Sequence, residues 1–218
     1  QSKALKVLER MTQDGPQPNT FSYTAAITAC AHVRDATTAL QLLKGMSSVG
    51  LSADGAAYGA AMDALIRSDR LSEAFELLQP MQEAGVPVTV DVWTHLLAGC
   101  YRVGDLERAW DTWDHMNRYH CEPDAVAYSV LTTACARADR SERATNLREE
   151  MLRQGVYPTH VTYNAMISAA GRSYRPSVYP HAHSHFQQMR AGGFAPDLRT
   201  YNAVLLACSQ AGDVNRAK

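Results

Sequence analysis

The chain repeats itself every 35 residues, and this constrains its fold more than any other feature. Met11, Met46, Met81, Met116 and Met151 stand 35 residues apart, and Met189 follows after 38. Ala4, Ala39, Ala74, Ala109 and Ala144 keep the same step, then Ala182 comes after 38 and Ala217 after 35. The aromatics Tyr23, Tyr58, Trp93, Tyr128, Tyr163 and Tyr201 form a third column with the same spacing. A period of this length marks a supersecondary unit that buries its apolar face only against its neighbours.

The extra three residues fall between Tyr163 and Ala182, in residues 171–181. Two prolines and a glycine in that segment predict a loop. Within each unit the pattern is helix, turn, helix. Residues 20–31 carry Tyr23, Ala26, Ile27 and Cys30 on one helical stripe, and residues 36–46 carry Ala39, Leu40, Leu43 and Met46 on another. Gly50 ends the second helix, with Gly15, Gly85, Gly155 and Gly193 in the matching place, each expected to take the left-handed conformation past a helix end. His120 stands there in one unit and predicts a less relaxed turn. Pro18, Pro123, Pro158 and Pro196 follow shortly after and stop the helix. Val86, Val88, Val90 and Val92 alternate as a strand would, but the register places them at a junction between units, and the repeat overrides the local pattern.

The expected fold is therefore all-α, a right-handed α-solenoid with a 35-residue period. One solenoid covers residues 1–218: a second helix at 1–19, units at 20–54, 55–89, 90–124, 125–159 and 160–197, and a partial unit from 198. Both ends fall inside a unit and the first residue is Gln1, so the chain is expected to be a fragment or a processed piece of a longer protein. Hydrophobic residues at 46% and charged residues at 20% fit a folded domain and exclude a disordered tail. The most apolar stretch, residues 55–66, is shorter than the ~20 residues of a membrane span, and Asp63 interrupts it.

Cys30, Cys100, Cys135 and Cys208 share the eleventh place of their units, which reads as helix packing; Cys121 stands apart. No CxxC occurs, and a reducing compartment is expected. Net charge is −1, so no general basic field attracts nucleic acid. The charge is nonetheless uneven: residues 160–218 hold 6 basic and 2 acidic side chains. Arg outnumbers Lys by 17 to 4, which suits planar recognition of phosphates and equally fits a GC-rich genome. In the cluster of His181, His183 and His185, the first and last are four apart and could share a helix face as metal ligands do, but no Glu follows the first His in the protease pattern and no third ligand is evident. They read instead as a polar helix start, cationic at acidic pH. Nucleophile elbow, phosphate loop and two-metal acidic cluster are all missing, so neither catalysis nor a cofactor is expected.

The texture of residues 161–170, VTYNAMISAA, preceded by EMLRQGVYPT at 150–159, strongly resembles the pentatricopeptide repeat family. Residues 198–203, LRTYNA, match again, and the unit ends at 122–124 and 195–197 look alike. The resemblance implies binding of single-stranded RNA in an organelle, one nucleotide per unit, along a groove lined by first helices. A single strand offers free base edges, and a solenoid presents side chains at a regular pitch to read them. In the family the fifth and last residues of a unit contact the base edge, and the second residues of adjacent units hold its faces.

Carried onto this chain, the resemblance pairs Thr24 with Asp54 and Thr94 with Asp124, both implying G, and Asn164 with Asp197, implying U. Asn202 leans toward a pyrimidine. Ser129 with Thr159 lacks the usual acidic or amide partner, and Gly59 with Thr89 lacks an edge-reading side chain. Phe21, Val126, Val161 and Arg199 take the base-clamping places, whereas Ala56 is small and Asp91 would repel a phosphodiester strand. The implied target is G, any, G, any, U, pyrimidine. Caps or solvated polar positions are the plainer reading of these Thr, Asp and Asn residues. Three function classes follow: an organellar RNA-binding module, mitochondrial or alternatively plastid; an interaction scaffold such as a mitochondrial ribosomal subunit contacting ribosomal RNA and ribosomal proteins; or the RNA-binding part of a larger RNA-processing enzyme.

Overall fold

The computed structural model describes residues 3–138, 140–172 and 179–211. Every regular element among the described residues is a helix. The chain divides into two compact units, residues 1–103 and 104–218. The first contains α1 (Lys3–Asp14), α2 (Thr20–His32), α3 (Ala36–Ser48), α4 (Gly55–Arg67), α5 (Leu71–Glu76), α6 (Leu78–Glu83) and α7 (Val90–Val103). The second contains α8 (Leu106–Arg118), α9 (Ala125–Arg137), α10 (Ser141–Arg153), α11 (His160–Arg172), α12 (Tyr179–Ala191) and α13 (Leu198–Ala211).

Each unit is a two-layer stack. In the first, α2, α4 and α7 pack side by side, with α3 against α2 and α4, and α5 against α4 and α7. In the second, α9, α11 and α13 form the corresponding row, with α10 and α12 behind them. This is the α-solenoid fold that the 35-residue period predicts. The repeat columns explain the packing. Met46, Met81, Met116, Met151 and Met189 are all fully buried, as are Ala39, Ala74 and Ala182. Met is unbranched and adapts to the gap between successive helix pairs, while Ala lets their backbones approach. The aromatic column is buried from Tyr23 to Tyr163, whereas Tyr201 on α13 is 50% exposed. Among the described residues no helix is long and apolar enough to cross a membrane.

All five cysteines are thiols outside any disulfide; four are buried and Cys121 is intermediate. Burial pushes the Cys135 thiol up to about 11, and burial first and then Asp35 raise that of Cys30, so neither is a ready thiolate.

Several turns depart from expectation. Gly50, Gly85, Gly155 and Gly193 adopt positive φ as predicted, but Gly15 does not. His120 takes the same left-handed conformation as the glycines, at φ 52°, where a side chain is less tolerated. Arg34 and Asp69, between the two helices of their repeats, also have positive φ, a position the sequence did not flag. One second helix is broken. α5 and α6 meet at Leu77 because Pro80 has no N–H to offer the carbonyl four residues back. Val90 and Val92 belong to α7, so the alternating valines are not a strand. The three-residue insertion falls mostly on residues 173–178, outside the described residues.

Close approach is strictest at Gly99 on α7. A Cβ there would meet Leu71 Cδ1 at 2.7 Å and Ile66 Cγ1 at 3.0 Å. Gly99→Val should lower unfolding free energy by about 1–3 kcal/mol, read from urea denaturation.

His185 on α12 is buried, and its Nδ1 has no hydrogen-bond partner among the described residues. Burial, followed by the charges of Arg148 and His181, drives its pKa down to about 4, with the Gln188 hydrogen bond opposing. This corrects the expectation that all three histidines become cationic at mildly acidic pH. Between pH 6.5 and 4 the unfolded chain binds a proton at this residue and the folded chain does not. Its contribution is therefore whole above pH 6.5 and declines as pH falls toward 4, by about 3 kcal/mol at the limit. Denaturation at pH 7 and pH 5 should show this loss, and His185→Gln should flatten the slope.

Candidate nucleic-acid interface

Helix geometry brings the implied site residues onto one stripe. The second, fifth, ninth and thirteenth residues of a first helix lie at steps of three, four and four, hence on one face. On α2 these are Phe21, Thr24, Thr28 and His32; on α4, Ala56, Gly59, Asp63 and Arg67; on α7, Asp91, Thr94, Ala98 and Arg102. On α9 they are Val126, Ser129, Thr133 and Arg137, and on α11 Val161, Asn164, Ser168 and Arg172.

The clamping places open to solvent. Phe21 is 79% exposed and Val126 and Val161 are each 55% exposed, although all three side chains are apolar. Ala56, Asp91 and Arg199 are also exposed.

The last residues of the repeats are helix caps. Asp54 Oδ1 accepts the Ala57 N–H at 2.8 Å, and Asp124 Oδ1 accepts that of Ala127 at 2.7 Å. Asp197 Oδ1 does the same for Thr200 at 2.7 Å. Each carboxylate is thus held at the positive end of a first helix, with its other oxygen free to make a second interaction.

The fifth residues differ among themselves. Thr24 turns its hydroxyl back to the Thr20 carbonyl at 2.9 Å. The Thr94 hydroxyl is buried without a hydrogen-bond partner among the described residues. Gly59 leaves open space, and Thr89 is exposed at the approach to α7. Ser129 is only 6% exposed, and its hydroxyl lies 2.7 Å from the Ala125 carbonyl, 2.8 Å from Thr162 Oγ1 and 3.3 Å from Thr159 Oγ1. Asn202 on α13 is exposed.

Asn164 and Asp197 form the most developed pair. Asn164 Nδ2 donates to Asp197 Oδ2 at 3.3 Å and lies 3.3 Å from His160 Nδ1, while its Oδ1 accepts the Thr200 hydroxyl at 2.5 Å. The backbone and side-chain hydrogen bonds from Thr200, then the His160 imidazole and the Asn164 amide, hold the Asp197 carboxyl below the usual range. The pair therefore sets a fixed amide donor beside a fixed carboxylate acceptor. Uracil presents the complementary edge, a carbonyl acceptor beside an imino donor; cytosine presents the reverse.

The same stripe ends on a basic row that sequence reasoning missed. His32, Arg67, Arg102, Arg137 and Arg172 stand 35 residues apart at the thirteenth place. The signal lay in the same period that exposed the methionines. Arg67 Nε lies 2.8 Å from Asp63 Oδ2, one helical turn earlier. Arg102 donates to the Arg67 carbonyl at 3.1 Å and faces Asp69 at 3.7 Å, which tethers it across to the preceding repeat. The two histidines once weighed as metal ligands differ in environment, since His185 is buried and His181 exposed. Among the described residues no group of three ligating side chains could hold a metal ion.

If the caps organise the first helices, Asp54→Ala should destabilise the fold by about 1 kcal/mol, measured by urea denaturation, without altering helix content at neutral pH by circular dichroism.

Four family models match the chain: the PPR repeat family over residues 88–137, the pentacotripeptide-repeat region of PRORP over 1–104, the pentatricopeptide repeat domain over 124–173 and the PPR repeat over 199–218. No curated protein matches it. Among solved structures the chain is similar to the maize pentatricopeptide repeat protein PPR10, solved in complex with an 18-nt psaJ RNA element. That likeness has 22% identity and a TM-score of 0.67, and covers 97% of this chain and 36% of the other. It is also similar to the PPR domain of Arabidopsis thaliana protein-only RNase P 1 in complex with tRNA, with 16% identity, a TM-score of 0.67, and 82% and 92% of the two chains covered. Nuclear proteinaceous RNase P 2 from A. thaliana gives 13% identity, a TM-score of 0.69, and coverage of 89% and 43%. The chain thus spans about a third of the length of PPR10.

Proposed function

Because the chain belongs to the pentatricopeptide repeat family, we propose that it binds single-stranded RNA on the exposed stripe of its first helices, one nucleotide per repeat. The observation that carries this reading is the Asn164–Asp197 pair, a locked donor and acceptor beside the exposed Val161. Apolar clamps at Phe21, Val126 and Val161 offer surfaces for base faces, and Arg67 and Arg102 in the first unit and Arg137 in the second offer cations for the backbone. Thr24 with Asp54 and Thr94 with Asp124 are proposed to read G, Asn164 with Asp197 to read U, and Asn202 a pyrimidine. Ser129 with Thr159 contributes little selectivity, because the Ser129 hydroxyl is buried and engaged. Arg199 adds a cation instead of a clamp.

A strand held in this way is withdrawn from nucleases and from inhibitory base pairing, so the proposed roles are RNA stabilisation, processing or translation. The compartment proposed is the mitochondrion, with the plastid as the alternative, on the family resemblance alone. Two other readings have specific support. Exposed Asp91 and the missing side chain at Gly59 favour a scaffold that contacts ribosomal RNA and ribosomal proteins. The match of residues 1–104 to the repeat region of PRORP favours the RNA-binding part of a larger processing enzyme, with catalysis outside these repeats.

The test is titration of the chain with the single strand G-A-G-A-U-C at several salt concentrations. Affinity should decline as salt rises, because each neutralised phosphate releases counterions. Asn164→Ala should cost about 1 kcal/mol of discrimination at the fifth nucleotide and leave the other positions alone. Equal, weak binding of every sequence overturns base reading and favours the scaffold.

A further inference from the structure

The two best-organised reading pairs share a residue to which neither composition nor the family resemblance assigned a role. Thr162 and Thr200 stand at the third place of α11 and α13, and their exposures are 0% and 1%. Each closes a capping box at the start of its own helix. Thr162 Oγ1 accepts the Thr159 N–H at 3.1 Å, and Thr200 Oγ1 accepts the Asp197 N–H at 3.2 Å. Each also reaches back to the preceding first helix. Thr200 donates to Asn164 Oδ1 at 2.5 Å, and Thr162 lies 2.8 Å from Ser129 Oγ.

We infer that the buried Thr200 at the start of α13 is a positioning residue that fixes the base-reading Asn164 of the repeat before it, and so sets selectivity at that nucleotide. The inference rests on the RNA reading proposed above.

The physical reason lies in the amide. Both faces of the Asn164 side-chain amide are nearly equal in shape, so sterics alone do not decide whether Oδ1 or Nδ2 lies toward Asp197. The Asp197 carboxylate and the Thr200 hydroxyl, one on each side of the amide, decide it together. Nδ2 faces the carboxylate at 3.3 Å, and Oδ1 faces the hydroxyl at 2.5 Å. With Oδ1 toward the carboxylate instead, two acceptors would confront each other. The hydroxyl also lies 2.8 Å from Asp197 Oδ1, and its single proton serves either that oxygen or Asn164 Oδ1, so Thr200 links the cap to the reader. Being buried, it exchanges none of these bonds for water.

The first unit supplies the contrast. Ala57 occupies the third place of α4 and has no hydroxyl, and Thr24 on the preceding first helix bonds to its own helix carbonyl. Val92 occupies that place on α7, again without a donor. A fifth residue tied to the following first helix thus accompanies threonine at the third place, whereas Thr24, followed by alanine there, bonds to its own helix.

The experiment uses the full chain and G-A-G-A-U-C together with its variants carrying C, A or G at the fifth place. Thr200→Val keeps the shape and removes the hydroxyl; Thr200→Ser keeps the hydroxyl. Losing one net hydrogen bond should cut the preference for U over C by about fivefold in Thr200→Val. Thr200→Ser should retain it, and selectivity at the other five places should be unchanged. Thr162→Val, which loses a hydroxyl that contacts Ser129, should leave the preference at the fifth place untouched. Thermal unfolding of each variant separates a loss of fold from a loss of positioning, because a merely structural role lowers binding of all the strands together. Unaltered U-over-C preference in Thr200→Val, or an equal loss in Thr200→Ser, overturns the inference while the RNA reading stands. If the unmodified chain itself shows no preference at the fifth place, the reading of the Asn164–Asp197 pair fails and the inference falls with it.

Discussion

No helix pair in this chain can bury its apolar face alone, and the structure follows from that constraint. Two antiparallel helices offer each other one stripe, and the second stripe stays wet until the next pair stacks on it. The fully buried methionine column is the physical record of this stacking. Met189 packs with Tyr163 and Ile167 of its own repeat and Ala203 and Val204 of the next, so periodicity in the sequence becomes regularity in packing. Everything proposed about recognition needs that regularity, because a row of side chains can match a polymer only if its own spacing is even.

The same constraint explains why caps and readers coincide. The first four N–H groups of a helix need partners, and Asp or Thr before the helix supplies one. In a stack of parallel first helices all these starts lie along one edge of a layer. A carboxylate that caps with Oδ1 is left with Oδ2 at that edge, as at Asp54 and Asp124. Capping and base contact are therefore not competing explanations of these residues. Stability fixes where the carboxylate sits, and under the proposed function its remaining oxygen is what a base would meet.

Much of this was legible in the sequence, and what was not has identifiable causes. The columns of Met, Ala and aromatic residues gave the period, and the period overruled the alternating valines before α7. Four glycines revealed their turns, because positive φ excludes most other residues. The left-handed turns at Arg34 and Asp69 were hidden, since ordinary side chains occupy them. Pro80 could have announced the broken helix at Leu77, but it sits amid strong helix formers. His185 was legible as a histidine and illegible as a buried one, because its neighbour Arg148 comes from another helix. The basic row from His32 to Arg172 was visible in the register all along; counting arginines by segment concealed it. What no register could reveal was the reach of Thr200 to Asn164 across 36 residues, because it depends on side-chain direction.

The balance of charges bears on how such a surface would hold a polyanion. With a net charge of −1 there is little long-range attraction, so selectivity and affinity must come from contacts made at close range. In the first unit one such cation is already engaged: Arg67 sits against Asp63, both on the exposed stripe, so a phosphate approaching Arg67 must compete with a carboxylate 2.8 Å away. Such exposed pairs contribute little to stability, about 0–1 kcal/mol, so the carboxylate adds little support to the fold. Asp91 adds a second anion on the same unit's stripe. The second unit carries no acidic residue at the second, fifth, ninth or thirteenth places of α9 and α11, and there the threonine-locked pairs occur. Fixed donors and acceptors are of most use where nothing repels the strand, because discrimination between bases counts only after the backbone has been accepted.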